Sequence, residues 1–143
     1  MSSSRNDEPS TRVVLHWTGE GLSFTGGPPD GPTIRLESGG KGSPSPTHLL
    51  LLSLAGCMGV DLVMILEKSR VPVESLEVRV DGWRVQEPPR RFEAIRLVYR
   101  IAGPAEADEA KLRRAVDLSR EKYCSVLHTL RSDVDLTIDV ERA

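Results

Sequence analysis

Apolar residues recur along this chain at two different spacings, and each change of spacing marks an element. Near the start, RVVLHW (Arg12 to Trp17) suits a strand, Gly19 to Gly21 turn the chain, and LSFTG suits the hairpin partner. After the loop GGPPDGP, the alternating TIRLE (33–37) predicts a third short strand, and SGGKGSPSP is again loop. A helix then opens at Pro46, with Ser45 as its N-cap, and runs to about Ser69. Its apolar positions cover nearly every face, so it must be buried nearly all round. A domain this small seldom encloses such a helix alone. A second subunit packing its own copy alongside is the simplest solution.

Two longer strands follow. Leu76, Val78 and Val80 alternate with Glu77, Arg79 and Asp81, and the apolar phase then moves to Trp83 and Val85, which predicts a bulge near Gly82. EPPR turns the chain, and Ile95, Leu97, Tyr99 and Ile101 alternate with Arg96, Val98 and Arg100. This reads as an antiparallel pair with one wet face. Gly103-Pro104 opens a second helix, whose inner face is Leu112, Ala115, Val116, Ser119 and Tyr123. Cys124 comes next, then SVLHTL as a short helical turn. Val134, Leu136, Ile138 and Val140 mark a last strand. The order of three strands, helix, two strands, helix, strand predicts an α+β fold with its helices on one face. Residues 1–10 are expected to be a disordered tail and 11–143 a single domain.

Composition narrows the class. Aromatics make up only 4% of residues, so the core rests on Leu, Val, Ile and Ala. A formal net charge of −2 and no basic block argue against a nucleic-acid partner. The opening MSSSRNDEPS is followed by no apolar stretch, so no secretory signal and a cytoplasmic location are expected. Leu49 to Leu66 is an 18-residue apolar run, but it contains Asp61, Ser53, Gly56 and Gly59. An Asp in mid-span costs about 2.5–3.5 kcal/mol on insertion. The run therefore reads as a buried helix and not as a membrane span. His16, His48 and His128 are far apart in sequence, so no metal site is expected.

What chemistry the chain carries rests on its two cysteines, Cys57 and Cys124. Neither belongs to a CxxC pair. Cys57 is bracketed by Gly56 and Gly59 in the apolar helix, which predicts the close approach of another helix or of a substrate. The competing reading is an inert thiol in tight packing. Cys124 stands where a helix ends or bends: the start of a helical turn would lower a thiol's pKa, while its position alone favours a simple core contact near a helix join. Arg35, on the third strand, has the donor fork that can favour a thiolate and hold a departing alkoxide.

The stretches SPTHLLLLSLAGCMGVDLVMILEKSRV and KLRRAVDLSREKYCSVLHTL resemble the two cysteine helices of the OsmC/Ohr family, the osmotically inducible and organic hydroperoxide resistance proteins. The likeness runs from about Arg12 to Val140, and WTGEGLSFTG together with ILEKSRV resembles the less-characterised branch. The resemblance implies antiparallel sheets wrapped around a long central buried helix in an intertwined homodimer. It implies that Cys57 is the peroxidatic thiol and Cys124 the resolving thiol, with the two sulfurs near bonding reach. It also implies that Arg35, 22 residues ahead of Cys57, is the activating arginine. The substrate would be an organic hydroperoxide and the reductant a dithiol, such as a lipoylated protein, with no cofactor. Active members commonly carry Glu directly after the helix-opening Pro, where it holds the arginine. Here that position is Thr47, which cannot carry a charge, so His48 and Glu37 are the candidate substitutes at the substrate site.

Two other functions compete. The same dimer could bind a small hydrophobic ligand or a partner without catalysis, a reading the missing Glu favours. A cysteine hydrolase would need a Cys/His pair, and no His stands in a nucleophile motif.

Overall fold

The computed structural model describes residues 8–143, so the expected tail at 1–10 lies outside the described residues as far as residue 7. The chain forms two compact units, one up to Leu49 and one from Leu50.

The first unit is a three-stranded antiparallel sheet in sequence order: β1 (Val14–Trp17), β2 (Ser23–Gly27) and β3 (Ile34–Glu37). The pairing sets His16 opposite Thr25 and Thr25 opposite Arg35. The sheet carries an apolar groove of about 390 Å³ lined by Val13, Leu15, Pro32, Ile34, Leu36 and Leu49.

Helix α1 (Pro46–Lys68) starts in this unit and continues into the second. Its opening is the cap that the sequence predicts. Ser45 Oγ accepts from the His48 N–H at 3.2 Å, and His48 Nδ1 accepts from the Ser45 N–H at 3.1 Å. This is a reciprocal capping box with His in the place usually held by Glu or Gln.

The second unit is a sheet of β4 (Ser75–Arg84), β5 (Phe92–Ala102) and β6 (Asp135–Arg142), with β5 central. β4 and β5 are antiparallel, but β6 runs parallel to β5. The expectation of antiparallel sheets throughout is therefore corrected: this sheet is mixed. Alternation reports which residues face the core and not strand direction. Direction is set here by the helical crossover between Ala102 and Asp135, which a parallel pair requires.

The core lies on one face of this sheet. Leu54, Met58, Leu62 and Leu66 of α1, Leu97, Tyr99 and Ile101 of β5, and Leu112 and Ala115 of the second helical segment are essentially inaccessible to solvent. Burial of such side chains stabilises by roughly 1.5–3 kcal/mol each. Both helical segments pack on that face, as expected. The opposite face is less wet than expected, because Val98, flanked in register by Arg79 and Asp139, is buried as well.

Three local readings change. The β4–β5 register shifts between Trp83 and Arg84, close to the bulge expected near Gly82, but Trp83 is exposed, so the apolar phase does not move to it. The core phase instead continues through Gly82, where the Phe92 ring occupies the space a Cβ would need. The second helix does not open at Gly103-Pro104. A 3-10 turn (Glu106–Asp108) precedes α2 (Glu109–Leu118), because Gly103, at φ 119°, bends the chain tightly against the backbone of Pro72 and Glu74. Lastly, Tyr123 is exposed while Cys124 is buried. After α2 the chain makes a π-helical turn (Ser119–Tyr123) closed by the Cys124 N–H donating to the Ser119 carbonyl at 2.9 Å. The wider turn shifts the inward phase by one residue.

By length and composition α1 is apolar enough to cross a membrane, with a mean hydropathy of 2.4 over 18 residues. In this fold one stripe of it forms the core, while Leu52, Val60 and Met64 remain about half or more exposed.

Candidate functional site

Cys57 lies on α1 with Asp61 one helical turn further on, so both project from one face of the helix. The π turn delivers Cys124 to the same place. Both cysteines are free thiols, Cys57 half-buried and Cys124 fully buried. Their sulfurs and a carboxylate oxygen of Asp61 all lie within 4.8 Å of one another. The two cysteines, 67 residues apart in sequence, are thus near each other.

The surroundings of the pair are well specified. Ser119, fully buried, donates its hydroxyl proton to Asp61 Oδ2 at 2.8 Å. Tyr99 donates from its buried hydroxyl to the Met58 carbonyl at 3.3 Å. Cys124 is the N-cap of α3 (Ser125–Thr129), and its sulfur accepts from the Leu127 N–H at 3.3 Å.

That contact does not lower the Cys124 pKa overall, which corrects the sequence expectation. Burial pushes the thiol up to about 11, the Leu127 N–H opposes this only in part, and Cys57 and Asp61 add to the rise. A single short helical turn cannot outweigh desolvation. Burial likewise pushes the Tyr99 phenol well above its ordinary value, with Cys124 and Asp61 contributing.

The remaining candidate residues belong to the first unit. Arg35 is an exposed residue of β3 and makes no salt bridge among the described residues. Glu37 lies two positions along the same strand, on the same face. Its carboxylate accepts the backbone N–H groups of Gly42 and of Ser43, the latter at 3.0 Å, and so closes the loop before α1. Thr47 Oγ1 is 3.2 Å from Ser45 Oγ, and His48 is engaged in the helix cap. His128, on α3, is exposed.

Sequence reasoning missed Asp61 as a site residue, although a signal was present. Asp61 is the only charged side chain between His48 and Glu67, and it stands four residues after a cysteine. Ser119 was placed on the inner face, but its partner could not be read. The two thiols and the carboxylate form the only such group of three His, Cys, Asp or Glu donors among the described residues, one short of a closed tetrahedral metal set. Their chemistry as they stand is that of a dithiol with an adjacent carboxylate.

Comparison with known proteins identifies the family and the fold. A family model described as OsmC-like protein matches residues 38–139. Protein YhfA of Escherichia coli K12 is 39% identical over 123 residues, which is 85% of this chain and 91% of that protein. The crystal structure of a hypothetical protein from Aquifex aeolicus VF5 superposes with a TM-score of 0.83 at 32% identity, covering 95% of this chain and 98% of that one. An organic hydroperoxide resistance protein from Legionella pneumophila, at 18% identity, shares the fold with a TM-score of 0.66 over 95% of this chain and 99% of its own. With a family model spanning most of its length and a relative at 39% identity, this chain belongs to the OsmC-like family.

Proposed function

We propose that this protein is a cytoplasmic thiol peroxidase that reduces organic hydroperoxides through Cys57 and Cys124. The observation that carries the reading is the approach of two free sulfurs to within 4.8 Å across 67 residues of sequence. The half-buried Cys57 is the attacking thiol and the fully buried Cys124 the resolving one. The Cys57 thiolate attacks the peroxide, the O–O bond breaks, an alcohol leaves, and the sulfenic acid condenses with Cys124 to a disulfide. Closure needs the sulfurs to move to about 2.05 Å. A dithiol, of which a lipoylated protein is one example, then restores the pair. In this reading Arg35 supplies the cation that favours the Cys57 thiolate and the leaving alkoxide.

The working unit is a homodimer. Within its own chain, a Cβ added at Gly56 would meet nothing within 4 Å, and one at Gly59 would meet only Val78, at 3.4 Å. They line an open apolar groove of about 570 Å³ with Ala55, Val60, Val63 and Met64, which suits the same helix of a second copy.

Thiol titration before and after one equivalent of cumene hydroperoxide tests the chemistry. Both free thiols should disappear and return on treatment with a dithiol. An unchanged titre would end the peroxidase reading. The second reading, a non-catalytic dimer that binds a small hydrophobic ligand or a partner, is favoured by one observation: neither Thr47 nor the cap-bound His48 replaces the usual carboxylate.

A further inference from the structure

Disulfide closure requires Cys124 to give up its proton, and its surroundings oppose this. Burial, together with Cys57 and Asp61, holds the thiol at about 11 despite the Leu127 N–H. Near neutral pH almost none of it is ionised, so a base must act during the attack. The titratable groups that face Cys124 are Cys57 and Asp61 from α1 and Tyr99 from β5. Cys57 is the sulfur under attack, and the Tyr99 phenol is neutral and already donates to the Met58 carbonyl. Ser119 is a donor as well, and its proton points at Asp61. Of these groups the Asp61 carboxylate is the one remaining acceptor.

We propose that Asp61, held by the Ser119 hydroxyl, is the proton acceptor for Cys124 when the disulfide closes and the proton donor to that sulfur when the disulfide is reduced. The role rests on the peroxidase reading for its substrate but not for its chemistry. In the closing step the Cys124 sulfur attacks the Cys57 sulfur of the sulfenic acid, the S–S bond forms, and the S–O bond breaks with its electron pair on hydroxide. The Cys124 proton passes to the Asp61 carboxylate and on to the hydroxide, giving water and restoring the carboxylate. The separation of at most 4.8 Å is spanned by one water or by a small rotation of either side chain.

The test follows disulfide closure in single turnover, with cumene hydroperoxide and separately with diamide, from pH 6 to 10. General-base help is worth roughly 10²–10⁴-fold. Asp61→Asn should therefore slow closure by about 10²-fold at pH 7 with either oxidant, and the deficit should shrink as pH rises and hydroxide takes over. Asp61→Glu should recover part of the rate. Closure at the unaltered rate, or a loss of equal size at every pH, would overturn the proposal. Should Asp61→Asn fail to fold, Ser119→Ala replaces it, with a smaller pH-dependent loss expected and an unaltered profile overturning the role. If the unaltered protein closes with diamide but ignores hydroperoxide, the peroxidase reading fails while the diamide series still decides the role of Asp61.

Discussion

The two thiols sit in segments built on opposite plans. Cys57 belongs to an uninterrupted helix of 23 residues, half-buried among small residues that leave one side open. Cys124 is fully buried at the joint of a π turn and a five-residue helix, under a fully buried Ser119 and beside a carboxylate. The regular helix holds the first sulfur half-open to solvent. The irregular segment puts the second where no substrate need reach it. The division matches the chemistry proposed for them: the attacking thiol needs access, and the resolving thiol needs only its partner and a base.

The largest effects should separate the two thiols outright. Cys57→Ser should abolish hydroperoxide consumption. Cys124→Ser should allow one oxidation per subunit and then stop, as read by peroxide loss against enzyme concentration. Identical behaviour of both variants would erase the contrast. Arg35→Ala comes next. Loss of one charged donor to a developing charge costs roughly 10²–10³ in rate. A variant that consumes hydroperoxide as fast as the unaltered protein would make Arg35 an ordinary strand residue.

The two faces of α1 sharpen the contrast further. Leu62→Ala, on the fully buried stripe, should cost about 2–5 kcal/mol in denaturant unfolding. Val60→Glu, on the open side, should instead shift the assembly from dimer to monomer. Light scattering that finds the unaltered protein at about 16 kDa would leave the open face without its proposed partner.

The smallest effect is one of pH. Cys124 is raised to about 11, and an unfolded thiol ionises near about 8.5. The folded state therefore holds this proton longer than the unfolded one. Its contribution to stability is complete below about 8.5 and is lost as pH climbs to about 11. Cys124→Ser should flatten that part of the stability curve, and a slope unchanged by the substitution would place the titrating group elsewhere.

Most elements were legible because their signals are local. Ser45-Pro46 marked the start of α1 to the residue, and alternation marked β4, β5 and β6. The second cysteine segment was the hard one. Regular helical spacing put Ser119 and Tyr123 on the inner face, whereas the structure turns Ser119 and Cys124 inward. Residues five apart on an α-helix point about 140° from each other. The i to i+5 turn brings them to one side. Asp61 was visible as an odd charge in an apolar helix, but its role depended on what packed against it.

The order of elements, the family, the two thiols and the near-absence of polar positions on α1 were readable along the chain, because periodicity and capping act over a few residues. Packing in three dimensions settled that β6 runs parallel to β5, that the chain widens into a π turn before Cys124, and that Ser119 and Asp61 meet across 58 positions beside both sulfurs. Each of these is a contact between elements. The packing of a buried hydroxyl, a carboxylate and two thiols into one space selects among local geometries that the chain's own pattern leaves equally open.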